Sequence, residues 1–179
     1  VIFMVYFETE RLRFRDWTRE DLPPFRKMNK DPQVMRYFPS TLEDAETDFF
    51  FERIQKEFSS SGYGLYAVEL KETGEFIGFI GFHEASFPAA FTPCIEIGWR
   101  LKASAFGKGY ATEGARTCIA YGFQELKFPE IYSFTAKINL PSEGVMQKIG
   151  MIKVGEFDHP NVQDGSILKE HVLYQMKNK

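Results

Sequence analysis

The chain has 179 residues, 44% of them AVILMFWYC and 26% charged, with 22 Lys+Arg against 25 Asp+Glu. That composition excludes disorder, a collagen-like repeat and a disulfide-stapled miniprotein, and a formal net charge of −3 lacks the basic face that marks a nucleic-acid binder. The length suits one domain over 1–179 with a two-layer core, and its 19 Phe are numerous enough that the core alone need not take them all.

The opening Val1-Ile2-Phe3-Met4-Val5-Tyr6-Phe7 is apolar but has no basic leader or small-residue cleavage site, and Glu8 and Glu10 cut it short, so a first strand is predicted. No apolar run approaches the roughly 20 residues of a bilayer span, and no membrane partner is expected. Arg11-Leu12-Arg13-Phe14-Arg15 alternates at the two-residue period of a strand with one buried face. Thr18-Arg19-Glu20-Asp21 has the capping-box pattern and predicts a helix through about Asn29; Thr41-Leu42-Glu43-Asp44 repeats it before a helix to about Phe58. The acids Glu43, Asp44, Glu46 and Asp48 either attract a cation or complement the helix dipole.

From Tyr63 the pattern turns to strands. Tyr63 to Leu70 and Glu75 to His83 form a hairpin signal around Lys71-Glu72-Thr73-Gly74, and the second run is apolar on both faces, as in a central strand. Cys94 to Lys102 places Ile95, Ile97, Trp99 and Leu101 on one face and Glu96, Gly98 and Arg100 on the other. A helix from about Gly109 to Leu126, a strand at Glu130 to Ala136, a short helix at Ser142 to Ile149 and strands at Met151 to Phe157 and Leu168 to Met176 complete the chain. Cys94 and Cys118 lie in apolar runs without ligand spacing, which fits a reducing, cytoplasmic setting.

The most informative stretch is Phe106-Gly107-Lys108-Gly109-Tyr110-Ala111-Thr112-Glu113, between a strand and the longest amphipathic helix. Glycines at such a junction let an anion approach unpaired amides at a helix N-terminus. A Walker A loop is excluded because Gly109 follows Gly107-Lys108, and a dinucleotide fingerprint fails because the sixth position is Thr112. By spacing alone the segment is either an anion cradle or a plain glycine turn.

This segment resembles the acyl-CoA pyrophosphate loop of the GCN5-related N-acetyltransferases (GNAT), particularly the branch that acetylates ribosomal-protein N-termini (RimJ/RimL-like). Asn139-Leu140-Pro141-Ser142 followed by Val145-Met146-Gln147-Lys148-Ile149-Gly150-Met151 resembles a second block of that branch, and the similarity extends to Thr9-Glu10-Arg11-Leu12, Ile95-Glu96-Ile97-Gly98-Trp99 and His171-Val172-Leu173-Tyr174. The resemblance implies a mixed, mostly antiparallel α/β sheet of about seven strands flanked by helices, with splayed central strands. It implies acetyl-CoA as co-substrate and no metal. The pyrophosphate would sit on the amides of Gly107, Lys108, Gly109, Tyr110, Ala111 and Thr112, and the pantetheine arm would pair with Trp99, Arg100 and Leu101. Asn139 would bond the pantetheine or cap the turn before Pro141, and Ser142 would point at the CoA sulfur or cap the short helix.

Acyl transfer also needs an oxyanion donor, expected at a main-chain amide near Gly98, and a proton acceptor. In other branches a Glu and a Tyr serve at positions filled here by Phe134 and Met146. Glu96 is the best remaining carboxylate, unless it pairs with Arg100, and His83 is next. An α-amino group, with a pKa near ~8 against ~10.4 for Lys, suits a site without that pair. The acceptor is expected to be a protein N-terminus or a small amine, and the enzyme a monomer or homodimer. Competing expectations are a CoA-binding sensor without turnover and an acyl-enzyme route through Cys94 or Cys118. Phe38, Phe49, Phe50, Phe51, Phe87 and Phe91 occupy segments that, by the resemblance, border the acceptor cleft, and some of them are expected to line an apolar or aromatic acceptor pocket.

Overall fold

A computed structural model describes residues 3–179, so the first two residues of the predicted opening strand lie outside the described part. Eight strands form one sheet in the order β1-β2-β3-β4-β5-β6-β8-β7. They are β1 (Val5–Glu8), β2 (Leu12–Arg15), β3 (Leu65–Leu70), β4 (Phe76–Ala85), β5 (Cys94–Leu101), β6 (Glu130–Ala136), β7 (Ile152–Asp158) and β8 (Glu170–Lys177). All neighbours pair antiparallel except β5 with β6. The eight strands are those the sequence patterns predict, the opening run and Leu12–Arg15 among them, and agree with the about seven that the resemblance implies.

Four α-helices cover the sheet: α1 (Leu22–Lys30), α2 (Asp44–Ser61), α3 (Tyr110–Gln124) and α4 (Leu140–Lys148). The Thr18/Asp21 box heads a single 3-10 turn that runs into α1. At α2 the box is Glu43 with Glu46, two residues beyond the expected Thr41, and Gly62 ends the helix in the left-handed conformation (φ 78°). The acids there are engaged by protein cations, Asp48 by Arg26 at 2.6 Å and Asp44 by Lys30 at 2.7 Å, which favours the dipole-and-pairing role over a cation site.

The central strands are buried on both sides and divide the core in two. On one side α3 packs Ala115, Cys118 and Ile119 against Ile80, Phe82, Ile97 and Leu101. The approach is close because two turns of α3 carry no side chain: a Cβ at Gly114 would lie 2.5 Å from Ile80 Cδ1, and one at Gly122 2.7 Å from Phe82 Cζ. On the other side α1 and α2 roof a second core of Trp17, Phe25, Phe51, Ile54, Phe76 and Phe79, pinned by the Trp17 indole N–H donating to the Leu65 carbonyl at 2.7 Å.

The sheet opens between β5 and β6. Their pairing is a single bridge, Glu96 with Tyr132, after which the strands part. β5 continues against β4 as far as Leu101, so its other edge beyond the bridge has no strand beside it.

Candidate active site

Which main-chain groups face that gap follows from strand parity. The Phe82 amide donates to the Gly64 carbonyl on the β3 side, so Phe79, Gly81 and His83 turn their main-chain groups toward β5, where Arg100, Gly98 and Glu96 receive them. The Lys102 amide, bonded to the Ile77 carbonyl, keeps the same parity, and the Ile97 carbonyl accepts from Ser133 Oγ on the far side. Trp99 and Leu101 therefore present their amides and carbonyls to the gap. Arg100 does not, which corrects its expected pairing with a pantetheine arm: its main chain is spent on Phe79 and its side chain enters the α1/α2 face. For the same reason the amide that can meet an oxyanion in the gap is that of Trp99, one residue past Gly98.

Past the end of β5 the chain makes a short 3-10 turn and reaches the glycine loop. Gly107 and Gly109 both have positive φ, 72° and 80°, where a Cβ would be strained, and Gly109 is the N-cap of α3. The first-turn amides of α3 thus point out of a helix whose cap offers no side chain to bond them. Lys108 is exposed, and Tyr110, Ala111 and Thr112 are partly exposed on the first turn. Glu113 fastens this turn to the β1–β2 hairpin by accepting from Thr9 Oγ1 at 2.6 Å, from the Arg11 amide at 3.0 Å and from Arg11 Nε at 2.7 Å. Its carboxyl sits below the ordinary range: burial opposes this, but the Thr9 and Arg11 hydrogen bonds outweigh it.

On the other rim, Asn139 is the N-cap of α4. Its side-chain oxygen accepts from the Ser142 amide at 3.3 Å and its NH2 donates to Thr135 Oγ1 at 2.9 Å. The capping role expected as an alternative for Ser142 thus belongs to Asn139, and the Ser142 hydroxyl, on the first turn of α4, makes no hydrogen bond among the described residues. Tyr174 of β8 braces the same turn, its hydroxyl donating to Glu143 at 2.6 Å while accepting from Gln147 at 3.1 Å. Nothing local to the His171-Val172-Leu173-Tyr174 run indicates this bracing role, because Glu143 and Gln147 meet Tyr174 only once α4 packs against β8.

The α1/α2 face of β4 and β5 carries the ionisable groups. Glu96 lies opposite His83, whose Nδ1 is 3.0 Å from the Glu57 carboxylate of α2. Burial pushes the Glu96 carboxyl up to about 8; Glu57 adds to the rise and His83 opposes it. The hydrogen bond to Glu57 raises His83 above its usual value. Glu96 and Arg100 form no ion pair; Arg100 donates to Asn29 Oδ1 at 2.9 Å instead. A Cβ at Gly98 would meet nothing nearer than Glu96 Oε2 at 3.9 Å, so open space adjoins that carboxylate.

Phe134 and Met146 take no part in proton transfer here: Met146 is buried in the α3-side core, and Phe134 packs edge-on against Phe87 and Phe157 and tilted against Phe91. The six phenylalanines expected around an acceptor divide. Phe51 belongs to the second core and Phe49 faces outward, whereas Phe38 and Phe50 lie over Arg100, and Phe87 and Phe91 join an aromatic group reaching Tyr132. Burial pushes the Cys94 thiol up to about 12 and raises Cys118 well above its usual value, the reverse of what an acyl-enzyme nucleophile needs. Among the described residues no cluster of three or more His, Cys, Asp or Glu is placed to hold a metal, and no helix is long and apolar enough to cross a membrane.

Comparison with known proteins places this geometry. Residues 11–152 match the family described as Acetyltransferase (GNAT) domain. An uncharacterized N-acetyltransferase of Bacillus subtilis, YnaD, is 30% identical over 157 residues, covering 86% of each chain. The FsC-acetyl coenzyme A-N(2)-transacetylase of Aspergillus fumigatus is 31% identical, over 84% of this chain and 71% of its own. Among solved structures, a GNAT-family acetyltransferase from Bacillus anthracis superposes with a TM-score of 0.79 at 27% identity, covering 99% of both chains.

Proposed function

The chain belongs to the GNAT acetyltransferase family, and from that premise we propose that it transfers the acetyl group of acetyl-CoA to a primary amine, with residues 3–179 acting as one catalytic domain. The observation that carries this reading is the gap between β5 and β6, edged by the free main-chain groups of Trp99 and Leu101 and opening beside Glu96. A pantetheine arm fits there as an added strand, while the amides of residues 107–112 take the pyrophosphate without needing the Lys108 side chain. Asn139, with one amide hydrogen and one lone pair uncommitted, borders the same gap.

In the reaction the amine nitrogen bonds to the thioester carbonyl carbon and the carbon–sulfur bond breaks. The Trp99 amide stabilises the developing oxyanion, Glu96 takes the amine proton, and the Ser142 hydroxyl donates a hydrogen bond to the departing thiolate, which takes its proton from solvent. A carboxyl pushed up to about 8 is matched to an amine of similar pKa and is mostly neutral at pH 7, so turnover rises with pH through that value. Burial sets that value, His83 opposing the rise and Glu57 adding to it, while the Arg53 cation acts on His83. Solved structures with the same fold include a spermidine N-acetyltransferase from Vibrio cholerae and RimL, a ribosomal L7/L12 alpha-N-protein acetyltransferase, each below 25% identity, so both a small amine and a peptide N-terminus stay within the proposal.

Acetyl-CoA at about 100 times its Kd should stabilise the fold by ~2.7 kcal/mol. Thiol release in the presence of peptide N-termini, polyamines or amino acids should follow. Absence of both would sink the reading. Tight binding with no thiol release from any amine would favour the sensor.

A further inference from the structure

Arg100 differs from the other guanidinium held inside the fold. Arg15, 5% exposed, is enclosed by Asp21, at 2.8 and 2.9 Å, and by Glu69. A 590 Å³ surface pocket beside it is lined by charges such as Glu75 and Lys102 that already pair with one another. Arg100 has no carboxylate. Its one hydrogen bond goes to the neutral Asn29 side chain, its Nε is sealed from solvent without a partner, and Phe38, Phe50 and Phe79 stack around it at 4.6, 5.6 and 5.3 Å. Desolvation lowers it to about 10, which leaves it fully charged at neutral pH. A half-buried cation whose Nε is sealed from solvent and which has no counter-charge is poorly compensated unless an anion arrives to meet its exposed part.

The position of Arg100 says which anion. Its side chain shares the α1/α2 face with Gly98 and Glu96, whereas the glycine loop heads α3 on the opposite face. Along that face the acidic group Glu96, with Glu57 and His83 behind it, stands at one end, a residue without a side chain lies between, and the cation stands at the other end, ~13 Å away between Cα atoms. With Glu96 held up to about 8 and the Glu57 carboxylate engaged by His83, the amine end of this face offers proton acceptors, and the fixed positive charge stands at the Arg100 end. We propose that Arg100 is the anion-binding residue of the acceptor site, and that the acceptor is a primary amine carrying a carboxylate some atoms away. This rests on the acetyltransferase reading above. A free amino acid and a peptide N-terminus followed by an acidic residue share this chemistry.

The test pairs ω-amino acids of increasing chain length with alkylamines of the same length, and N-terminal peptides bearing Asp with their Asn counterparts. The carboxylate-bearing member of at least one series should have a kcat/KM higher by about tenfold or more, since charge-assisted bonds to guanidinium are among the stronger ones. Which series shows the preference identifies the source. Asn29→Asp places a carboxylate where Arg100 already bonds, so it should raise thermal stability and reduce the preference below about threefold; Arg100→Gln should do the latter alone. If Arg100→Gln fails to fold, Asn29→Asp still decides. Equal rates for acid and neutral members, or an Asn29→Asp variant that loses acetyl-CoA affinity while keeping the preference, overturns the proposal. Calorimetric titration of the CoA complex with the same pairs reads the preference without turnover. A preference in binding with no acetylation upholds the anion site and overturns the enzyme reading.

Discussion

The two sides of the β5–β6 gap are built on different principles. Toward α3, the surfaces that would meet a cofactor are main chain: the free edge of Trp99 and Leu101 and the left-handed glycines of the loop, seated on an apolar core that holds no Asp, Glu, Lys, Arg or His. Toward α1 and α2, the surface is side chain: Glu57, His83, Glu96 and Arg100, the last three perturbed by burial or by their neighbours. Main-chain sites bind a fixed chemical group and tolerate wide changes of side chain around them, while side-chain sites tune to one acceptor. The division separates a constant cofactor from a variable substrate.

Substitutions on each side test that division. The largest effect is expected from Glu96→Gln, which should lower turnover by roughly 10²- to 10⁴-fold and flatten the rise of rate through pH 8. The same variant should behave oppositely in stability. A carboxyl raised in the folded state contributes stability that is complete below its unfolded value and is lost as pH rises through the folded one, so the melting temperature of Glu96→Gln relative to wild type should climb between pH ~4.5 and 8. Ser142→Ala should cost about a hundredfold in turnover with acetyl-CoA affinity retained; wild-type turnover would remove the hydroxyl from the chemistry. Gly114→Ala and Gly98→Ala compare the faces directly. The first drives a methyl into Ile80 and Phe14 and should destabilise by ~1–3 kcal/mol in urea unfolding, whereas the second enters open space, should stay within ~0.5 kcal/mol, and should show itself in acceptor KM. Asn139→Ala should cost ~1 kcal/mol of stability through the lost cap of α4, between these two.

The same division explains what could be seen in the sequence. Gly107 and Gly109 announce a main-chain site because a glycine's backbone freedom is written at its own position, and the alternation from Ile95 to Leu101 announces the strand beside it. The parity that spends Arg100 and frees Trp99 depends on which neighbour bonds first, which no local pattern carries. Likewise Asn29 and Phe38 reach Arg100 only once α1 and the following loop fold over β5, and Glu57 meets His83 only across α2 and the sheet. The position of α2's start was missed because Glu43, an acid, performs the capping that Thr41 was expected to perform.

The fastening of the glycine loop has a consequence in time. Glu113 holds Thr9 and Arg11 across 104 and 102 residues of chain, so the mounting of the loop is among the longest loops the fold must close. Contacts of such range carry a closure cost that is repaid only after the intervening strands are in place. In refolding, the hairpin at the N-terminus and the first turn of α3 should therefore lock together late, and the capacity to bind acetyl-CoA should return in the slowest phase, after most of the tryptophan signal from Trp17 has recovered.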